Sequence, residues 1–160
     1  MNPESAPPLI VGIGNVYRSD DGAGIATVRR LRERLPPDAR VLEETGEGTR
    51  LVEVWKGATL VILIDAVESG APAGTIHRLD ARTQKIPVEL FRCSSHAFNL
   101  AQAVELARAL DQLPRRIVLY GIEGRNFEAG EVLSRQVERA IDAVVSQVLC
   151  ELGVAYSRRA

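Results

Sequence analysis

Three places in the chain hold side chains able to bind a metal ion or move a proton. The stretch GIGNVYRSDDG, from Gly12 to Gly22, puts Asn15, Arg18 and the adjacent Asp20 and Asp21 between an apolar run and a helix-like segment. Asp65 is the first charged residue after the apolar run LVILI, and His96 stands in CSSHAFNL ahead of another helix-like segment. Two carboxylates and an imidazole are mixed oxygen and nitrogen donors. They suit a divalent ion with open coordination positions, among them zinc, nickel, manganese and iron. Each residue also has a plain structural reading. Asp20 or Asp21 would cap the following helix, Asp65 would fix a loop, and a lone His near a helix start would be a satisfied packing residue.

The elements that must position these residues follow from hydropathy. Apolar runs of strand length cover residues 9–13, 40–44, 60–64, 75–79 and 117–122, and helical spacing of apolar side chains covers 23–35, 49–56, 95–110 and 130–152. Pro36 and Pro37 stop the first helix, Thr49 is expected to begin the second, and Ser94 or Ser95 is expected to cap the third. Strands alternating with helices imply parallel pairing, so the fold class is α/β. The expected architecture is a three-layer α/β/α domain with a five-stranded, mostly parallel twisted sheet, resembling phosphorylase and hydrolase folds. TLVILIDA has almost no polar alternation, as a central strand buried on both faces requires. Only AVESGAPAG separates the third strand from the fourth, which is too short for a helix, so the fourth is expected to be an antiparallel edge strand or else a parallel one reached by an unusual connection. In such sheets ligands bind beyond the carboxyl ends of the strands, and Asn15 to Asp21, Asp65 and His96 all fall there.

With 160 residues the chain is long enough to bury a full core, and residues 9–152 read as a single α/β domain between a disordered lead, 1–8, and a frayed tail, 153–160. The formal net charge of -1 offers no general attraction to nucleic acid or to an anionic membrane. The N-terminal MNPESAPP lacks the basic start and apolar core of a signal peptide or anchor. Cys93 and Cys150 form no CxxC pair, which points to a reducing cytoplasm.

Other motifs fail on inspection. GIGNVY begins like the dinucleotide fingerprint but has Tyr17 at the third glycine position, and neither a P-loop nor a GxSxG elbow occurs. Cys93, three residues before His96, has no evident orienting partner for a nucleophile and reads as inert. His77 is expected to face solvent from the edge strand, and Trp55 to serve packing.

VGIGNVYRSDDGAG resembles the N-terminal signature of the hydrogenase maturation proteases, and LIDAVESGAPAGTIHRL, SSHAFNL and LYGIEGRNFEAGEVLSRQVERAI resemble later segments of that family in the same order. The likeness spans about residues 9–152. It implies a cytoplasmic endopeptidase that removes a short C-terminal extension from the large-subunit precursor of a NiFe hydrogenase after nickel insertion. It implies metal-binding and catalytic positions at Asp21, Asp65 and His96, with nickel supplied by the substrate, and supporting places for Asn15, Asp20 and Glu44. Asp20 is then the cap or support beside Asp21. Ligation needs a neutral imidazole and ionised carboxylates, so activity is expected to fall in acid. Many relatives have Glu where this chain has Asp21, and Asp-Gly where it has Glu44-Thr45-Gly46, which leaves open whether Glu44 replaces that Asp. A peptidase of the same fold acting on another substrate, or a non-catalytic metal- or nucleotide-binding module, are the alternatives.

Overall fold

The computed structural model describes residues 6–153; residues 1–5 of the expected lead and 154–160 of the expected tail lie outside the described residues. At residue 8 the chain is already tied to the sheet, since the Pro8 carbonyl accepts the Arg40 N–H at 3.1 Å.

Five strands, β1 (Leu9–Ile13), β2 (Arg40–Glu44), β3 (Leu60–Val67), β4 (Ile76–Asp80) and β5 (Arg116–Glu123), form one sheet in the order β2-β1-β3-β5-β4. All neighbours pair in parallel except β4, which runs antiparallel to β5 at the edge. That is the expected topology. Among the described residues, three helices lie between strands, α1 (Ala23–Arg32), α2 (Gly48–Trp55) and α3 (Leu100–Ala109), and a fourth, α4 (Arg135–Glu151), follows β5.

Side chains alternate across the sheet and sort the core into two layers. Leu9, Val11, Ile13, Val61, Leu63, Ile117 and Leu119 face α2 and α3, where Leu51, Trp55, Leu100 and Val104 complete one layer. Ile10, Ile62, Ile64, Val118, Tyr120 and Ile122 face α1 and α4, where Val28, Leu31, Val137, Ile141, Val144 and Val148 complete the other. A strand covered on both sides needs no polar alternation, which explains β3. Trp55 is a packing residue, 1% exposed.

Helix α1 sits unusually close to the sheet. A Cβ on Gly24 would lie 2.2 Å from the Ile64 carbonyl oxygen, and one on Gly12 would lie 2.5 Å from that of Gly24. Gly24 therefore supplies the close helix–strand contact that Tyr17 could not, several residues beyond the fingerprint position.

Some expected boundaries shift. α3 begins at Leu100, not near Ser95, because Asn99 caps it: its side chain accepts the Gln102 N–H while the Gln102 side chain accepts the Asn99 N–H. Ser94 and Ser95 therefore cap nothing. α2 is capped by Glu47, whose carboxylate accepts the Thr49 and Arg50 N–H groups, so the helix begins just ahead of Thr49. α4 begins at Arg135, which leaves residues 130–134 in the loop after β5.

Candidate active site

β1 sits between β2 and β3, so the connections leaving β1 and β2 carry the chain to opposite sides of it. That reversal opens a crevice at the carboxyl ends of β1 and β3. A cleft of about 550 Å³ lies there, and Asn15, Asp21, Glu44, Asp65, Cys93 and His96 all line it. The structure thus brings the sequence-derived residues to one place, apart from Asp20, which does not line the cleft.

Asp65 lies inside β3 rather than after it. The ladder between β1 and β3 ends at Gly12 and Ile64, whereas β3 continues along β5, with Asp65 opposite Gly121. Asp65 is the first β3 residue past the β1 ladder, at the point where the sheet parts. It is 7% exposed.

Asp21 arrives from the short 3-10 turn Ser19–Gly22 that follows β1. Its carboxylate accepts the Asn15 N–H at 3.1 Å and lies 3.8 Å from the Arg18 guanidinium. Asn15 shapes the turn further, its side-chain oxygen accepting the Tyr17 N–H at 2.9 Å.

Asp20 points the other way. Fully buried, its carboxylate accepts four hydrogen bonds, from the N–H groups of Arg125, Asn126 and Ser134 and from the Ser134 hydroxyl, at 2.7–2.9 Å. It is a latch on the loop after β5 and not a helix cap: neither the 3-10 turn nor α1 has a side-chain cap. The latch fixes the turn from which Asp21 projects.

His96 lies in the segment between Phe91 and α3, not at a helix start. Its N–H donates to the Ser94 hydroxyl at 3.3 Å. The turn after β2 packs against this segment: the Gly48 N–H donates to the Phe98 carbonyl at 2.8 Å, and a Cβ on Gly46, at φ +95°, would lie 3.8 Å from the His96 ring. A left-handed conformation of that kind favours glycine. Glu44 lines the cleft but accepts the Arg50 guanidinium at 3.2 Å, so its carboxylate already has a cationic partner.

The electrostatics set the two aspartates apart from ordinary surface carboxylates. Burial pushes the Asp65 carboxyl well above the usual range, and the charge of Asp21 pushes it further, against one N–H hydrogen bond at Ala66. Burial also raises Asp21, against the opposing pull of Arg18, the Asn15 N–H and His96. Two buried carboxylates facing one cleft hold a proton or a cation more readily than either would alone. Asp20 goes down instead: burial acts to raise it, but its hydrogen bonds to Ser134, Asn126 and Arg125 outweigh that.

The donors fit a divalent ion in chemical type. Among the described residues, however, no three His, Cys, Asp or Glu side chains are gathered closely enough to hold one unaided.

Cys93 is buried and its thiol is pushed up by burial and by the charges of Asp65 and Asp21, so it stays protonated at neutral pH. That agrees with an inert cysteine. His77 departs from expectation. Instead of facing solvent freely, it lies 3.0 Å from the carboxylate of buried Glu123, which also accepts the Ser69 and Gly70 N–H groups and the Ser69 hydroxyl. This cluster, which hydropathy concealed, ties the β3–β4 connection to the end of β5.

Comparison with known proteins points in one direction. A family model described as hydrogenase maturation protease matches residues 25–151, a stretch that includes Asp65 and His96 and begins just past Asp21. The chain is 29% identical over 149 residues to the hydrogenase 2 maturation protease of Escherichia coli, covering 90% of this chain and 89% of that one. It is 30% identical over 160 residues to the hydrogenase expression/formation protein HoxM of Azotobacter vinelandii, covering 94% and 76%. Among solved structures, the hydrogenase maturating endopeptidase HybD from E. coli superposes with a TM-score of 0.73 at 25% identity over 92% of each chain.

Proposed function

The chain belongs to the hydrogenase maturation protease family, and from that premise we propose that it removes a short C-terminal extension from the large-subunit precursor of a NiFe hydrogenase once nickel is in place. Asp21, Asp65 and His96 read the substrate's nickel and carry the cut. The reaction belongs to the cytoplasm, where such a precursor would be assembled, and no helix among the described residues is long and apolar enough to cross a membrane.

The observation that carries this reading is the buried pair of Asp21 and Asp65 on the same cleft as His96, at the sheet's crevice. The pair is electrostatically uncomfortable without a positive partner, and the chain's own donors do not close around an ion by themselves. A nickel-bearing substrate supplies the ion and the remaining donors together. Binding then depends on correct metal insertion, and processing becomes a check on it.

Within that complex each group of the protein has a defined task. The cleft holds the extended C-terminal segment with its scissile carbonyl against the substrate's metal, which polarises that carbonyl. Water adds to the carbonyl carbon, its proton passes to the Asp21–Asp65 pair, and the pair returns a proton to the amine as the C–N bond breaks. His96 supplies the nitrogen donor from the opposite lip. Asp20 and Asn15 keep Asp21 aimed into the cleft.

The test is processing of purified precursor by the wild type and by Asp21→Asn, Asp65→Asn and His96→Ala, followed by intact mass. All three variants should stay folded by circular dichroism and release no peptide. A variant that cuts at the wild-type rate would remove its residue from the site, and three such variants would remove the site itself.

A further inference from the structure

We propose that Arg18 is a positioning residue, a clamp whose guanidinium joins the turn carrying Asp21 to the segment carrying His96. Its Nη1 donates to the Cys93 carbonyl at 3.1 Å and lies 3.8 Å from the Asp21 carboxylate. The two partners belong to different segments lining the cleft and stand 72 positions apart in the sequence.

An arginine three residues before an aspartate in a turn is ordinarily a surface ion pair of little consequence. Here the geometry differs in three respects. The Arg18 side chain is only 32% exposed and the Asp21 side chain 11%, so water screens the pair weakly. The same guanidinium nitrogen faces both partners, so one side chain joins the two segments. The backbone at Arg18 is itself pinned: it bridges to Gly130, and the neighbouring Ser19 N–H donates to the Gly130 carbonyl at 2.8 Å.

Cys93 is the other anchor. While its carbonyl accepts Arg18, its thiol contacts the carbonyl of Ala66 at 3.8 Å, the residue next to Asp65 in β3. Cys93 therefore ties the two aspartate-bearing elements to the start of the run Ser94-Ser95-His96. Two residues of chain, Ser94 and Ser95, separate Cys93 from His96, and the other end of the run is held by the Gly48 hydrogen bond to Phe98. Releasing Arg18 removes one of the contacts that hold the Cys93 end of that span. This gives Cys93 a mechanical use where its chemistry has none.

As a matter of catalysis, the inference rests on the protease reading above; as a matter of structure it does not. The experiment uses the full chain. Amide hydrogen exchange is measured by mass spectrometry for the wild type, Arg18→Ala and Arg18→Lys, and kcat and KM are measured for each on the nickel-loaded precursor. In Arg18→Ala, exchange over residues 93–98 should quicken at least about tenfold while β1, β3 and β5 keep their protection. The kcat should fall about a hundredfold with little change in KM, the signature of misplaced groups rather than lost binding. Arg18→Lys should recover part of both, since it keeps the charge and N–H donors but loses the planar guanidinium.

Unchanged exchange over 93–98 in Arg18→Ala overturns the clamp. So does faster exchange spread equally over the central strands, which would mark a general loss of stability. Faster local exchange with wild-type kcat overturns the positioning role. Failure of the wild type to cut any precursor would fall on the substrate assignment, and the exchange data would still decide the clamp.

Discussion

The charge of Asp21 and the burial of Asp65 act on each other across one cleft: Asp65, at the point where β3 outruns β1, has its carboxyl pushed well above the ordinary range first by burial and then by Asp21. A carboxyl whose pKa is raised by folding costs stability when ionised. The cost is absent below the unfolded value of about 3.9 and grows as the pH rises above it. Asp65→Asn should therefore stabilise the free protein at pH 7 by roughly 1 kcal/mol, the usual size of a gain made by relaxing a strained functional site. The gain should vanish as the pH approaches 4, and processing should be lost throughout. Urea unfolding of both proteins at pH 7 and pH 4 checks it.

Asp20 shows the opposite sign. Its folded carboxyl is held below the ordinary range by hydrogen bonds from Ser134, Asn126 and Arg125, which prevail over burial. The stability it confers is present above the unfolded value of about 3.9 and is lost as the pH falls through the folded one. Asp20→Ala should cost about 3 kcal/mol at pH 7, because buried donors lose a charged acceptor. Thermal melts from pH 7 down to pH 3 should show the gap between wild type and variant closing in acid.

The approach of α1 to the sheet leaves no room for a methyl group at Gly24, where a Cβ would meet the Ile64 carbonyl at 2.2 Å and the Ile13 carbonyl at 2.4 Å. Both obstacles are backbone. Gly24→Ala should lower stability by about 3 kcal/mol or abolish soluble expression, whereas Gly57→Ala meets no atom within 4 Å and suffers only from its φ of +77°. Paired expression and melting measurements separate the two.

Cys93 and Cys150 should differ in reactivity. Cys150 is exposed, while the Cys93 thiol is buried with its pKa raised. Iodoacetamide at pH 8 should add one group per native chain, on Cys150, and processing should survive it. Loss of processing in step with labelling of Cys93 would reinstate a thiol nucleophile.

Much of this was legible in the chain because the signals were local. The run LVILI announces a doubly covered strand, and the nine residues of AVESGAPAG forbid a crossover helix, so the antiparallel edge followed. Asp21, Asp65 and His96 were expected to lie together because strand ends in an α/β sheet share a rim, and all three line the cleft. What escaped depends on distant partners. Asp20 looked like a cap because its true partners, Arg125, Asn126 and Ser134, come from the far end of the chain. Likewise His77 looked solvent-facing because Glu123 reaches it only across the β4–β5 pair. The end of β3 was misjudged for another reason: pairing with β5, not hydropathy, carries the strand past Asp65. The start of α3 was the one avoidable error, since Asn99 followed by Gln102 is a capping box readable in sequence.

The central claim is that the cleft reads nickel on the substrate before cutting it. Its most direct test is to mix the protein with nickel-loaded and nickel-free large-subunit precursor of a NiFe hydrogenase encoded in the same genome and to record intact masses over time. The account predicts loss of a single C-terminal peptide from the nickel-loaded form and none from the nickel-free form. Equal cleavage of both forms would contradict it.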